Sequence, residues 1–127
     1  MRQLFLPALL LATLAGCASG LPAPTVHQFE VDGWSGLTRT YRCTDGTPLA
    51  VAYLNPPQGV AIGVVTLAGT QAVLRNLPAA SGARYVDVDE QRGLRWHSKG
   101  DEGFLALLPP DHTATEQVLH TGCRAQP

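Results

Sequence analysis

The chain has 127 residues, of which 45% are hydrophobic, and a formal net charge of −1 at pH 7. This length fits one domain of ordinary size, and the near-neutral charge argues against nucleic acid as a partner, which needs a basic surface. The three cysteines and four histidines contain no Cys-x-x-Cys and no ligand-like histidine spacing. We therefore expect no metal site and no cofactor.

The N-terminal segment has the features of a lipoprotein signal peptide. A short cationic start leads into an apolar run at residues 4–14, which ends at Leu14-Ala15-Gly16-Cys17. The run is shorter than the ~20 residues of a transmembrane helix, so we predict that residues 1–16 are cleaved. Cys17 would then carry acyl chains, which anchor a protein stably when there are two or more. An ordinary secretory signal, with Cys17 incidental, is the alternative.

The residue after this cysteine bears on the destination of the protein. Ala18 stands where an inner-membrane retention signal usually has Asp, so the lipoprotein pattern favours an anchor in the outer membrane, on the periplasmic side. Residues 17–36 are predicted to be lipid anchor and tether, because residues 18–25 are small and contain prolines. Residues 26–36 are ambiguous, since Phe29 and Val31 alternate with charged residues and permit a short extra strand.

From residue 37 onward, short β-prone runs alternate with turn signals, and no helical period is long enough to predict a helix. The predicted strands cover residues 38–43, 49–54, 60–67, 71–77, 84–89, 92–97, 103–108 and 117–122. Short strands at this spacing are typical of a small antiparallel sandwich or barrel. The sequence thus predicts one all-β domain over residues 37–125.

Two cysteines remain if Cys17 carries lipid. In an oxidising compartment, Cys43 and Cys123 are expected to form a disulfide; two free or metal-bound thiols are the alternative. The bond would close a loop of 123 − 43 = 80 residues. In the chain-entropy model, such a loop stabilises the fold by about 4–5 kcal/mol.

Two turns carry the candidate functional residues. In an up-and-down meander, every second turn lies at the same end of the sheet, so the turns at residues 78–83 and 98–101 should share one rim. Ser81 offers a hydroxyl there, and Lys99, the one lysine of the chain, offers an ammonium group. Both turns are also compatible with ordinary exposed turn chemistry.

Three segments and one cysteine resemble the MliC/PliC family, bacterial inhibitors of c-type (animal) lysozyme with a branch of membrane-bound lipoproteins. They are Tyr41-Arg42-Cys43, Ala80-Ser81-Gly82-Ala83-Arg84-Tyr85, Ser98-Lys99-Gly100-Asp101-Glu102 and Cys123. The resemblance covers roughly residues 37–124 and implies a small antiparallel β-barrel of about eight strands. His97, preceded by Trp96, stands where family members often carry an aromatic residue.

The resemblance also implies a function: a lipid-anchored periplasmic inhibitor of c-type lysozyme, which is not an enzyme itself. Lysozyme works with two carboxylates in a concave cleft. By family analogy, the Ser81 hydroxyl would bind one carboxylate, and Lys99 would make a charge-assisted contact with the other. The partners would be lysozyme and, through Cys17, the membrane.

The neighbouring residues have supporting roles in this interpretation. Gly82 and Gly100 complete the two turns that contact lysozyme. Arg84 and Tyr85 would shape the first turn and pack its base, and Tyr85 is a further candidate for partner contact because aromatic residues are favoured at interfaces. The acidic pair after Gly100, Asp101-Glu102, is expected to orient Lys99 or to solvate the rim.

Two other classes of function are compatible with an exported domain of this size. A hydrolase with a Ser81–Lys99 pair would need a base next to the nucleophile and an oxyanion site, but the sequence has no Ser-x-x-Lys, no Gly-x-Ser-x-Gly and no third member. A passive outer-membrane lipoprotein that binds the cell wall or a small ligand is the main alternative. Small barrels usually fill their interior with side chains, which leaves little room for such a ligand.

Overall fold

The computed structural model describes residues 27–111 and 113–127. The predicted signal peptide, Cys17 and residues 18–26 of the predicted tether lie outside these ranges. All the regular elements within them are β-strands. The strands are β1 (Gln28–Val31), β2 (Trp34–Arg42), β3 (Pro48–Asn55), β4 (Ile62–Leu67), β5 (Thr70–Leu77), β6 (Ala83–Asp87), β7 (Leu94–Lys99), β8 (Glu102–Leu107) and β9 (Gln117–Ala125). No helix in the described residues is long and apolar enough to cross a membrane.

The strands form a closed antiparallel barrel. Each strand pairs with the next in sequence, and β2 also pairs with β9, so that β2–β9 close into eight strands. This confirms the predicted β-barrel. The closing contact is short, with Tyr41 opposite Ala125 and Arg42 opposite Arg124.

The ambiguous segment before residue 37 is part of the sheet. Strand β1 pairs with the first half of β2, Gln28 opposite Leu37, along the same edge that β9 uses further on. The backbone N–H of Thr38 donates to the His27 carbonyl at 3.0 Å, and the N–H of Gln126 donates to the Thr40 carbonyl at 2.8 Å. Strands β1 and β9 thus occupy one edge of β2 in succession, and the sheet begins before the boundary predicted at residue 37.

The predicted strands at residues 84–89 and 92–97 are shifted in the structure, and Asp87 explains the shift. Its carboxylate accepts hydrogen bonds from Arg92 Nε at 2.6 Å and from the backbone N–H groups of Asp89 and Leu94 at 2.9 and 3.2 Å. These bonds hold residues 88–93 as a loop, so β7 begins only at Leu94. Burial acts to raise the pKa of Asp87, but the hydrogen bonds outweigh it and the pKa is lowered.

The interior of the barrel is filled by large side chains. The Trp96 side chain is fully buried, and its ring meets Tyr41 edge-on with centroids 4.9 Å apart. The Trp96 indole N–H donates to the Tyr53 hydroxyl at 2.8 Å, which lies 2.8 Å from the Tyr41 hydroxyl. Because each of these buried polar groups has a partner, the cluster does not weaken the core. Trp96 is therefore a core residue rather than part of the outer surface.

Cys43 and Cys123 form a disulfide across 80 residues of sequence, as predicted. Cys43 follows β2 and Cys123 lies in β9, so the bond reinforces the seam where the barrel closes. Within the described ranges, no group of three or more His, Cys, Asp or Glu side chains is placed to hold a metal ion.

Candidate functional site

The two predicted turns lie side by side at one end of the barrel. Ala83, which begins β6, is opposite Ser98 of β7. Gly82 has a φ of +69°, and a Cβ at this position would overlap the carbonyl oxygen of Ser98. Only glycine therefore permits this close approach. We call residues 78–82 and 98–101 the rim turns.

A groove of about 440 Å³ lies beside the rim turns. Its lining includes Ser81 from the first rim turn and Lys99 from the second. The prediction that these two residues share one rim is thus confirmed. Gly100, at the tip of the second rim turn, has a φ of +59° with open space around it, so this turn projects from the barrel.

The acidic residues next to Lys99 are bound by arginines. Asp101 Oδ1 lies 2.7 Å from Arg39 Nη1, and Glu102 Oε1 lies 2.6 Å from Arg124 Nη2. The hydrogen bond to Asp101 is the main reason that the pKa of Arg39 is raised. No ion pair of Lys99 occurs within residues 27–111 and 113–127. The sequence predicted that Asp101 and Glu102 orient Lys99 or solvate the rim; in the structure both carboxylates pair with arginines.

Tyr85 lies inside the barrel below the first rim turn. Only 6% of its surface is exposed, and its ring centroid is 5.5 Å from that of Tyr53. Burial raises the pKa of its hydroxyl. The position fits the expected role in packing the base of the turn and leaves little surface for a partner.

Arg84 lines the groove, and its backbone carbonyl accepts a hydrogen bond from Asn76 Nδ2 at 3.2 Å. Its Nε is buried and has no hydrogen-bond partner among the described residues. Arg84 thus joins the first rim turn to the groove wall.

His97 forms part of the groove wall in a way that the sequence did not reveal. Its ring stacks on Phe104 with centroids 4.4 Å apart and an interplanar angle of 11°. Its Nε2 lies 2.6 Å from Glu116 Oε1. Strand alternation could have found this pair, because His97 and Phe104 are cross-strand neighbours that both point away from the buried Trp96.

Together, the fold and the site define a small disulfide-closed β-barrel that presents two adjoining turns on one rim, with a lysine that has no ion pair within residues 27–111 and 113–127. A family model described as membrane-bound lysozyme-inhibitor of c-type lysozyme matches residues 41–111, more than half of the chain. The chain therefore belongs to this family, MliC.

Two solved structures share the fold. PliC-St, the periplasmic lysozyme inhibitor of C-type lysozyme from Salmonella typhimurium, is 18% identical, with a TM-score of 0.59 over 71% of this chain and 96% of that chain. Pseudomonas aeruginosa MliC, crystallised in complex with hen egg white lysozyme, is 21% identical, with a TM-score of 0.54 over 98% of this chain and 100% of that chain. No curated protein matches the chain.

Proposed function

We propose that the protein is a lipid-anchored periplasmic inhibitor of c-type lysozyme that inserts its two rim turns into the active-site cleft of the enzyme. Membership of the MliC family supports the inhibitor role. The sequence around Cys17 supports a lipid anchor on the periplasmic side of the outer membrane. The observation that carries the proposal is that Ser81 and Lys99 line one groove, where Lys99 has no ion pair with any residue of the described ranges.

The chemistry of the rim complements that of the enzyme. A c-type lysozyme has one protonated glutamic acid and one ionised aspartate in its cleft. The Ser81 hydroxyl hydrogen-bonds to one of these carboxyl groups, and the Lys99 ammonium makes a charge-assisted contact with the other. Because Lys99 breaks no ion pair within the described ranges when it binds, its charge is available at little cost.

The two arginines next to the rim have a supporting role in this proposal. Unpaired, Asp101 and Glu102 would face a cleft lined with carboxylates, and like charges across an interface cost several kcal/mol. Their ion pairs with Arg39 and Arg124, at 2.7 and 2.6 Å, offset this repulsion.

The main alternative, a passive lipoprotein with a ligand inside the barrel, is less compatible with the structure. Trp96, Leu74 and Leu105 are fully buried and occupy the interior. The proposal assigns no catalytic step to Ser81 or Lys99.

Inhibition of hen egg white lysozyme by the soluble chain from residue 18 onward tests the proposal. Lys99→Ala should weaken binding about 30-fold or more, the equivalent of the 2–5 kcal/mol lost when one partner of a desolvated charge pair is truncated. Ser81→Ala should weaken binding by less, about 3- to 10-fold, because it removes one hydrogen bond to a carboxyl group.

Matched controls lie on the other side of the barrel. Arg75→Ala removes an exposed cation from β5, and Ser35→Ala removes an exposed hydroxyl from β2; neither should alter inhibition. A folded, oxidised parent that fails to inhibit would refute the inhibitor function. If the parent inhibits and Ser81→Ala and Lys99→Ala inhibit equally well, the two-turn contact is refuted.

A further inference from the structure

Strands β2–β5 contain no carboxylate, and the outward side chains of their middle part are apolar or uncharged except Arg75. Side chains alternate along a strand, and Val51, Val65 and Leu74 point into the core. The residues that alternate with this inward set along β2–β5 therefore point outward, and strand pairing aligns them in three rows. These rows are Gly36–Leu54–Ile62–Arg75, Thr38–Ala52–Val64–Val73 and Thr40–Ala50–Thr66–Gln71. They contain one charged side chain, Arg75, and no carboxylate.

The β1–β2 hairpin extends this surface. Phe29 lies opposite Gly36, and its ring covers the place where a Cβ at Gly36 would be. Trp34 is opposite Val31 and points to the same side. Trp34 is 44% exposed and Val73 is 42% exposed, so both ends of the surface are open to solvent. We call the outward side chains of Phe29, Trp34, Leu54, Ile62, Val64 and Val73 the apolar face.

The lipid anchor reaches the barrel at the edge of this face. Strand β1 is the first strand of the described sheet, and nine residues lie between Cys17 and His27. A segment of that length spans at most about 35 Å when fully extended. If Cys17 carries lipid, as proposed above, a bilayer is always within reach of the apolar face.

We propose that the apolar face rests on the phospholipid surface that holds the anchor; this inference depends on the proposed lipidation of Cys17. Tryptophan and phenylalanine are favoured at the membrane–water interface, and aliphatic side chains contribute by burying apolar area. The three rows contain no carboxylate that would have to be desolvated. The docking is hydrophobic rather than electrostatic, so it should be insensitive to salt.

This orientation has a consequence for the inhibitor site. The groove beside the rim turns is lined from the first rim turn and from β6, β7, β8 and β9, which form the other half of the barrel. With β2–β5 on the bilayer, the groove faces away from the membrane and is open to an incoming lysozyme.

Tryptophan fluorescence tests the docking, because the chain has only two tryptophans. The full lipidated chain is reconstituted into phosphatidylcholine vesicles with and without lipids brominated in their acyl chains. Trp34 on the apolar face should lose most of its emission to the bromine, whereas the buried Trp96, observed alone in Trp34→Phe, should lose little.

A matched pair of variants separates docking from tethering. Val73→Glu places a charge on the apolar face, and Val118→Glu places the same charge on β9 at a valine that is 59% exposed. Val73→Glu should restore the Trp34 emission, and Val118→Glu should leave it quenched.

Each other outcome overturns a defined part of the proposal. Vesicles that float with the protein but do not quench Trp34 would overturn the docking and leave the anchor intact. Protein that does not float would overturn anchor and docking together, while lysozyme inhibition, measured separately, would stand. A dimer in detergent that Val73→Glu converts to a monomer would make the face a contact between copies and would also overturn lipid docking.

Discussion

The two halves of the barrel share one interior but differ in their outer surfaces. Strands β2–β5 present the apolar face, where Arg75 is the one charge in three cross-strand rows. Strands β6–β9 and their turns present cations: Arg84 and Lys99 line the groove, and Arg124 forms an ion pair with Glu102. A closed barrel fixes only the side chains that point inward. Its exterior can therefore carry two different surfaces on opposite sides.

The two tryptophans give the largest expected contrast between interior and exterior. Trp96→Ala removes a fully buried ring and its hydrogen bond to Tyr53, and should lower the free energy of unfolding by about 3–5 kcal/mol. Trp34→Ala removes a ring that is 44% exposed, and should cost less than about 1 kcal/mol. Urea denaturation of the oxidised soluble chain measures both. Equal losses would show that Trp34 belongs to the core and not to a docking surface.

Two glycines of the rim turns differ in how closely the surrounding atoms approach them. Gly82 and Gly100 both have positive φ, but only at Gly82 would a Cβ overlap backbone. Gly100→Ala should cost about 1–2 kcal/mol of stability for the left-handed conformation alone. Gly82→Ala should cost more and should also weaken lysozyme inhibition, because it separates the rim turns. Inhibition that survives Gly82→Ala unchanged would show that the close approach of the turns is not needed.

The smallest expected effect concerns acid stability at the seam between the two halves. The pKa of Asp45 is lowered to about 2, first by the backbone N–H of Thr47 and then by His120 of β9. Because the folded pKa lies below that of the unfolded chain, the stabilisation is full above about pH 4. It is lost as the pH falls through about 2.

Thermal unfolding between pH 5 and 2 measures this contribution. Asp45→Asn should flatten the acid limb of the stability curve, and Asp32→Asn, in the exposed β1–β2 turn, should not. An unchanged acid limb in Asp45→Asn would rule out this carboxylate as a source of the pH dependence.

The sequence predicted the parts of this molecule that depend on local pattern. Alternation and turn residues located all eight barrel strands, and strand order alone placed Ser81 and Lys99 on one rim. The missed features depend on contacts between distant segments. Arg39 and Asp101 are 62 residues apart in sequence, and only the closure of β2 on β9 brings them together.

The shift of two strand boundaries had a local cause. The sequence predicted strands at residues 84–89 and 92–97, whereas β6 covers Ala83–Asp87 and β7 begins at Leu94. Asp87 is buried at the end of β6, and Val88 after it is exposed. Asp87 can be buried because Arg92 and two backbone N–H groups satisfy its carboxylate, which hydropathy alone does not reveal.

The most direct test of the central claim is a double-mutant cycle between the rim and the two catalytic carboxylates of lysozyme. Binding of the parent, Lys99→Met, Ser81→Ala and the control Arg75→Met is measured against wild-type enzyme and against enzymes with each carboxylate replaced by its amide. The loss caused by Lys99→Met should shrink against one enzyme variant, and the loss caused by Ser81→Ala against the other. Losses of the same size against all three enzymes would contradict insertion of the rim turns at the catalytic carboxylates.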